Sequence, residues 1–137
     1  MTIVSATDHQ ISIDGTDITD WVVEVNFEDT FETKDKTTFG SNGKRAKTGG
    51  LEDGQVTLSC LNDYASSALD GILWGLRNQV VDVVATPTSA AVSATNPQYT
   101  NAVHVNKLTP IAAKVGDLPV QNLTFPGSGG LTRATSS

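Results

Sequence analysis

Alternating apolar and polar positions predict that most of this chain forms β-strands. The strongest alternation covers residues 21–29, with Trp21, Val23, Val25 and Phe27 on one face and Val22, Glu24, Asn26 and Glu28 on the other. Successive side chains of a strand point to opposite sides of a sheet, so this segment predicts one buried and one wet face. Shorter alternating segments at 9–13, 55–60, 102–108 and 118–125 predict further strands, and the β-branched run at 80–85 predicts another.

One helix is predicted between the strands at 55–60 and 80–85, over about residues 63–77. Asn62 and Asp63 are suitable N-caps, because their side-chain oxygens accept hydrogen bonds from the free N–H groups of a first helical turn. Apolar residues then recur at helical spacing and form one stripe, which consists of Leu69, Ile72, Leu73 and Leu76. Such a stripe needs a sheet to cover it, so the sequence predicts a helix that lies across a sheet.

Many strands and one helix predict a mainly β fold. We expect two packed antiparallel sheets, as a β-sandwich or partial barrel, with the helix flanking them. A length of 137 residues suits a single domain over 1–137. The segment 127–137 is rich in Gly and Ser, and we expect a flexible C-terminal tail there.

Residues 33–50 differ from the rest of the chain in composition and charge. The sequence TKDKTTFGSNGKRAKTGG holds five basic residues and one acidic residue, a net charge of +4, whereas the remainder holds four basic and fourteen acidic residues, a net charge of −10. Four glycines and no apolar periodicity predict a long flexible loop or an irregular hairpin. This extended basic loop is either a solvated surface feature or an arm that docks on an acidic surface. The residues expected to make such a contact are Lys34, Lys36, Phe39, Lys44, Arg45 and Lys47.

Overall charge and sparse reactive residues argue against several functional classes. A net charge of −6 disfavours general nucleic-acid binding, which depends on neutralising phosphates. His9 and His104 have no Cys or carboxylate at ligand spacing, and the single cysteine, Cys60, lies on an apolar strand face. We therefore expect no catalytic, cofactor-binding or metal-binding residues, and no enzyme. We also expect no secretion signal and no membrane-spanning segment, so the sequence favours a cytosolic protein or one released by lysis.

Two short motifs have ordinary explanations. Asp14, Asp17 and Asp20 are spaced suggestively for calcium, but Gly15 directly follows the first aspartate, so a capped turn is favoured over a calcium loop. The tetrapeptide at 96–99, NPQY, matches the pattern that phosphotyrosine-binding adaptor domains recognise. Asn-Pro is also a common turn former, and we favour the turn.

The order of elements and several short phrases resemble the major tail tube proteins of long, non-contractile phage tails. The phrases are the DITDW turn, KTGGLEDGQVTLSC, NPQY and FPGSGG, and the resemblance covers Ile11 to Thr132. It implies two packed antiparallel sheets flanked by one helix, assembled as hexameric rings whose inner strands enclose a lumen. It also implies that the rings stack, with the loop at 33–50 reaching a neighbouring ring.

The resemblance implies a structural virion protein of the tail, which conducts DNA during ejection and holds the tape-measure protein. Expected partners are other copies of this chain, the tape-measure protein in the lumen, and the tail terminator and distal tail proteins. DNA is expected only in transit, a membrane partner is not expected, and assembly is expected in the cytoplasm of a bacterial host. The candidate lumen-facing residues are Glu24, Asn26, Glu28, Gln55, Thr57 and Ser59.

Two alternatives remain open at this point. One is another ring-forming phage protein of the same fold, such as a tail terminator or head–tail connector. The other is a capsid decoration protein or a similar β-sandwich binding module, which would coat a surface without enclosing a channel.

Overall fold

The computed structural model describes residues 8–111 and 113–136, and the regular structure of this part is mainly β. Its strands are β1 (Gln10–Ile13), β2 (Thr16–Asp17), β3 (Val22–Asp35), β4 (Lys47–Leu61), β5 (Val80–Thr86), β6 (Gln98–His104), β7 (Val120–Pro126) and β8 (Thr132–Ala134). One α-helix, α1 (Leu69–Gly75), connects β4 to β5, and a short 3₁₀ helix (Phe39–Ser41) lies between β3 and β4.

The strands of the described residues form two antiparallel sheets. One sheet has the strand order β2-β1-β5-β6-β8, and the other has the order β3-β4-β7. The chain passes from the second sheet to the first through α1. The predicted fold class, two packed antiparallel sheets flanked by one helix, is confirmed.

The core lies between the two sheets. Its fully buried side chains come from both of them and include Ile13, Val83, Val103, Val56, Leu58, Leu123 and Phe125. Helix α1 adds Leu69 and Leu73, and Leu76 directly after the helix is also buried. Ile72 packs against the same core but stays partly exposed. Each large apolar side chain removed from water contributes about 1.5–3 kcal/mol, so the stripe fixes α1 to the sheets.

Helix α1 is shorter than the predicted helix over 63–77. Turns replace its first part, where Ser67 has a positive φ of 64°. Asp63 does not cap α1: its Oδ1 accepts a backbone N–H two residues on at 3.0 Å, and its Oδ2 accepts the indole N–H of Trp21 at 2.9 Å. The N-cap prediction for Asn62 and Asp63 is therefore wrong. Asp63 instead links the turn before α1 to the residue before β3.

A β-bulge at Val23 changes the predicted faces at the start of β3. The register passes from Val22 opposite Cys60 to Glu24 opposite Ser59, so Val23 is the extra residue. Val23 is 60% exposed, and Val22 packs against the core instead. The prediction that Val23 lies on the apolar face is wrong, because a bulge shifts the alternation by one residue.

Part of the segment at 127–137 belongs to the folded sheets rather than to a free tail. The N–H of Gly127 donates to the carbonyl oxygen of Gly54 at 2.7 Å, and β8 pairs with β6. Composition alone missed β8, because three residues are too few for a recognisable alternation. Ser137 lies outside the described residues.

Candidate assembly surfaces

Beyond the core, β3 and β4 continue as a two-stranded ribbon, which we call the arm and define as residues 31–51. Its residues are exposed except Ser41 and Ala46, which are half-buried. The exposed side chains include the apolar groups of Phe31, Phe39 and Leu51. An isolated two-stranded hairpin is at best marginally stable in water. The arm is therefore a segment that gains stability when another surface covers it.

Strand pairing and tip hydrogen bonds shape the arm, so the predicted loop at 33–50 is a hairpin whose tip covers 36–46. In the tip, Asp35 Oδ1 accepts the N–H of Thr37 at 2.8 Å, and the N–H of Ala46 donates to Thr37 Oγ1 at 2.9 Å. The ladder is irregular between Phe31 and Thr33 and then regular to the tip, where the register pairs are Thr33 with Gly49, Lys34 with Thr48, and Asp35 with Lys47.

The six residues predicted for an inter-ring contact all lie in the arm and are exposed. Lys34 pairs with Glu32, and Arg45 Nη1 lies 3.6 Å from Asp35 Oδ2. Exposed pairs of this kind contribute little free energy, so they leave the arm's side chains available to a partner. Phe39 is fully exposed at the tip. The arm thus presents several cations and, at its tip, one exposed aromatic ring.

The three-stranded sheet presents a polar outer face. The six residues predicted to face a lumen come together there as register pairs: Glu24 with Ser59, Asn26 with Thr57, and Glu28 with Gln55. Strand β7 adds Asn122, whose Oδ1 accepts the hydroxyl of Ser59 at 2.6 Å, and Thr124 opposite Thr57. The strand segments that build this face, 22–29, 54–61 and 120–126, contain no lysine or arginine. The face is therefore neutral to acidic.

Each sheet ends in strands that have a hydrogen-bonded neighbour on one side in the described part of the chain. These are β3 and β7 in one sheet, and β2 and β8 in the other. A free strand edge presents N–H and C=O groups that pair readily with another chain. The edge of β3 is 14 residues long and that of β7 is 7 residues long. Both are thus surfaces for strand addition.

Asp29 and Glu52 form a carboxyl pair at the base of the arm. In the ladder Asp29 lies opposite Gly54 and Glu52 opposite Phe31, so the two carboxyl groups are diagonal neighbours. A side-chain hydrogen bond with Asp29 raises the pKa of Glu52, and desolvation and the like charge add to the rise. The carboxyl group of Glu52 also lies over Gly130, where any Cβ would collide with it. The protonated form of Glu52 is therefore favoured beside Asp29.

Replacing Glu52 by Gln is expected to raise stability at neutral pH. A raised pKa in the folded state means that the folded chain holds the proton of Glu52 more tightly than the unfolded chain does. The contribution of protonated Glu52 to stability is therefore complete at low pH, and it is lost as the pH rises through the raised pKa. Gln donates to Asp29 at every pH without a second negative charge. Thermal unfolding followed by circular dichroism should show a higher Tm for E52Q than for the wild type at pH 7, and nearly equal values at pH 4.

Glu24→Gln is the matched control for this prediction. Glu24 lies in β3 on the face opposite to Asp29, so removing its charge leaves the carboxyl pair intact. A gain for E52Q of equal size at both pH values would contradict the role of Glu52 ionisation.

The histidines and the cysteine of the described residues have separate surroundings. Cys60 is fully buried, and burial raises the pKa of its thiol to about 11, which disfavours the thiolate. His104 Nε2 lies 2.9 Å from Asn78 Oδ1, and His9 is half-buried beside β3. In residues 8–111 and 113–136, His, Cys, Asp and Glu side chains do not gather in threes that would hold a metal ion. A helix long and apolar enough to cross a membrane is absent from the same residues.

The NPQY motif is part of the fold rather than a free linear motif. The side chain of Asn96 is buried, and it donates to the carbonyl oxygen of Ala90 at 2.8 Å and accepts the N–H of Thr88 at 3.1 Å. Tyr99 lies in β6, and its hydroxyl accepts the Nε–H of Arg133 at 3.3 Å. These contacts agree with the turn interpretation.

The fold and its surfaces define a mainly β, two-sheet domain with a projecting basic arm and open sheet edges. Among solved structures, the chain is similar to a chain of the virion of a native gene transfer agent particle. The TM-score is 0.74 at 14% sequence identity, and the match covers 96% of this chain and 99% of that one. At this identity the similarity shows a shared fold over nearly the whole of both chains. Neither a protein-family model nor a curated protein matches the sequence.

Proposed function

We propose that this chain is a structural virion protein whose copies form stacked, hexameric rings and so build the tube of a phage tail. The arm is the observation that carries the proposal. It is exposed on both faces, it displays apolar side chains at Phe31, Phe39 and Leu51, and it contains the +4 segment at 33–50 of a chain whose remainder is −10. A monomer leaves all of these features exposed, whereas a stack of copies covers them.

Ring closure accounts for the open edges of the three-stranded sheet. Strand β3 of one copy pairs with β7 of the next, so the sheet continues around the ring and its edges disappear. This contact is head-to-tail, because two different strands meet, and head-to-tail contacts close into rings when the rotation between copies permits.

The polar face of the three-stranded sheet lines the lumen in this proposal. Glu24, Asn26, Glu28, Gln55, Thr57 and Ser59 would face a water-filled channel. Strong protein–DNA binding depends on lysine and arginine contacts to phosphates, and the strand segments of this face contain neither residue. DNA therefore passes in transit without being held, and the tape-measure protein occupies the same channel before ejection.

The proposed stack of rings also implies further partners for this protein. Open ends of a stack require proteins that cap them, which are the tail terminator and the distal tail proteins. The mature protein is located in the virion tail, after assembly in the cytoplasm of a bacterial host. The fold that the chain shares with a virion component supports this assignment.

Negative-stain electron microscopy of the purified, concentrated protein tests the proposal. We expect hollow tubes built from stacked rings. Single rings that never stack would favour a tail terminator or head–tail connector, and compact particles without a channel would favour a decoration or binding module. A protein that stays monomeric by light scattering at every concentration and salt tested would overturn the proposal.

A further inference from the structure

A cleft of about 340 Å³ opens between β1 and the bulged start of β3. This volume is at the lower end of the range of roughly 300–1,000 Å³ in which proteins bind small organic groups. The residues that line the cleft include His9, Ile11, Thr19, Val22, Val23 and Glu24. The bulge exposes the side chain of Val23, so the cleft has an apolar wall that is open to solvent.

The edge of this cleft is acidic. Glu24 lines it directly, and Asp17 is joined to it through Thr19, whose N–H donates to Asp17 Oδ1 at 2.9 Å. The hydroxyl of Thr19 also bonds to Asp17, and these bonds lower the pKa of Asp17, so its carboxylate stays charged. Asp20 follows Thr19 in the sequence and is exposed. An apolar wall edged by carboxylates suits an apolar group that is surrounded by cations.

We propose that this cleft receives the ring of Phe39 from the arm of a neighbouring copy, an inference that rests on the proposed stacking of rings. Phe39 is fully exposed, and the same tip carries Lys36, Lys44 and Arg45. The ring packs against Val23, and the cations meet the carboxylates at the edge of the cleft. Opposite charges around one apolar anchor fix the orientation of a contact more than they add affinity.

Charge separates this cleft from a second cleft, which lies beside Trp74. The second cleft, of about 410 Å³, is lined by Trp74, Arg77, His104 and Lys107 among others. The guanidinium of Arg77 stacks over the ring of Trp74 at 3.6 Å from the ring centre. A basic arm tip is repelled there, whereas the cleft at Val23 attracts it.

The proposed cleft lies at the start of β3, where it is lined by residues 22–25. A neighbouring β7 of 7 residues covers only part of the 14 residues of β3. In this proposal the neighbouring β7 therefore pairs with the part of β3 that follows Val25, which leaves the cleft open to the arm.

Site-specific cross-linking tests this inference with Phe39 kept in place. The variant Gly40→Cys, Val23→Cys has one thiol beside the anchor and one in the cleft, where cysteine, as a small hydrophobe, keeps the wall apolar. A Cβ at Gly40 makes only ordinary contact, at 3.6 Å from Thr38 Oγ1. Cys60 is buried and does not compete. After assembly, a short bismaleimide reagent should join copies into a ladder of multimers on a denaturing gel.

Gly40→Cys, Trp74→Cys is the matched control, because the Trp74 side chain is 52% exposed and lines the competing cleft. We expect tubes and a ladder from the Val23 pair, and tubes without a ladder from the Trp74 pair. Tubes that give no ladder with the Val23 pair, or an equal ladder with the Trp74 pair, would overturn the inference and leave the tube proposal standing. Failure of the wild-type protein to form tubes would count against the proposed function itself.

A second measurement does not depend on cysteine variants. Phe39→Ala should raise the concentration needed for tube growth by about tenfold or more, as expected for an aromatic anchor at an interface. Val115→Ala removes an equally exposed apolar side chain elsewhere and should leave that concentration unchanged. Equal assembly of the Phe39→Ala variant and the wild type would overturn the inference.

Discussion

A variant in which Lys44, Arg45 and Lys47 are all replaced by Glu is expected to form rings but no tubes. The three changes turn an arm segment of +4 into a segment of net negative charge, while the rest of the chain stays at −10. Like charges then face each other where the arm of one ring approaches the next, and such juxtaposition costs several kcal/mol. Negative-stain microscopy and sedimentation should show rings at concentrations where the wild type forms tubes.

The fold of this variant should be unchanged, because all three side chains are exposed and the pair between Arg45 and Asp35 is a surface pair. The matched control replaces Lys107, Lys114 and Arg133 by Glu. It changes the net charge by the same amount at positions outside the arm. Tube growth by the arm variant would refute the role of the arm. If the control variant also failed to form tubes, the effect would be due to net charge rather than to the arm.

Gly127→Ala is expected to destabilise the protein by about 3 kcal/mol or to prevent folding, because it overpacks a backbone contact. A Cβ at this position would lie 2.6 Å from the carbonyl oxygen of Gly54 and 3.1 Å from Asn101 Oδ1. The carbonyl oxygen of Gly54 also accepts the N–H of Gly127 at 2.7 Å, so these two segments of the chain cannot move apart without losing that hydrogen bond. Urea unfolding followed by fluorescence should show the loss as a lower transition midpoint.

Gly49→Ala is the control for this substitution. Gly49 lies in the arm, and a Cβ there has no described atom within 4 Å. Its free energy of unfolding should stay within about 0.5 kcal/mol of the wild type, as is usual for exposed positions. An equal loss in both variants would show that the close contact at Gly127 is not the cause.

Residue patterns predicted the sheets well where each strand has one wet face. Glu24, Asn26 and Glu28 alternate with apolar residues, and the structure pairs them across the ladder with the polar residues of β4. The same logic identified the buried stripe of α1, because side chains at Leu69 and Leu73 must share one face of any helix.

The errors come from features that alternation does not encode. The bulge at Val23 depends on how β3 meets β4, and residue type gives no sign of it. The start of α1 was placed too early because Asp63 resembles an N-cap, whereas in the fold it binds the indole of Trp21, which lies 42 positions away. Long-range partners of this kind appear only once the chain is folded.

The acidic cleft beside Val23 was also beyond the reach of sequence reasoning. It joins residues of β1, the turn after β2 and the start of β3, and it exists because the bulge exposes one valine. The charge contrast between residues 33–50 and the rest of the chain was the one signal that pointed to a docking contact. That signal identified the arm but not the cleft that we propose receives it.

The continuity of β3 and β4 has a mechanical consequence. The same two strands run from the buried sheet to the tip of the arm. A force on the tip is therefore transmitted to the core through the backbone hydrogen bonds between β3 and β4, which it loads in shear. The irregular register between Phe31 and Thr33 interrupts the regular ladder along that path. We therefore expect bending of the arm to concentrate at its root, between Phe31 and Thr33.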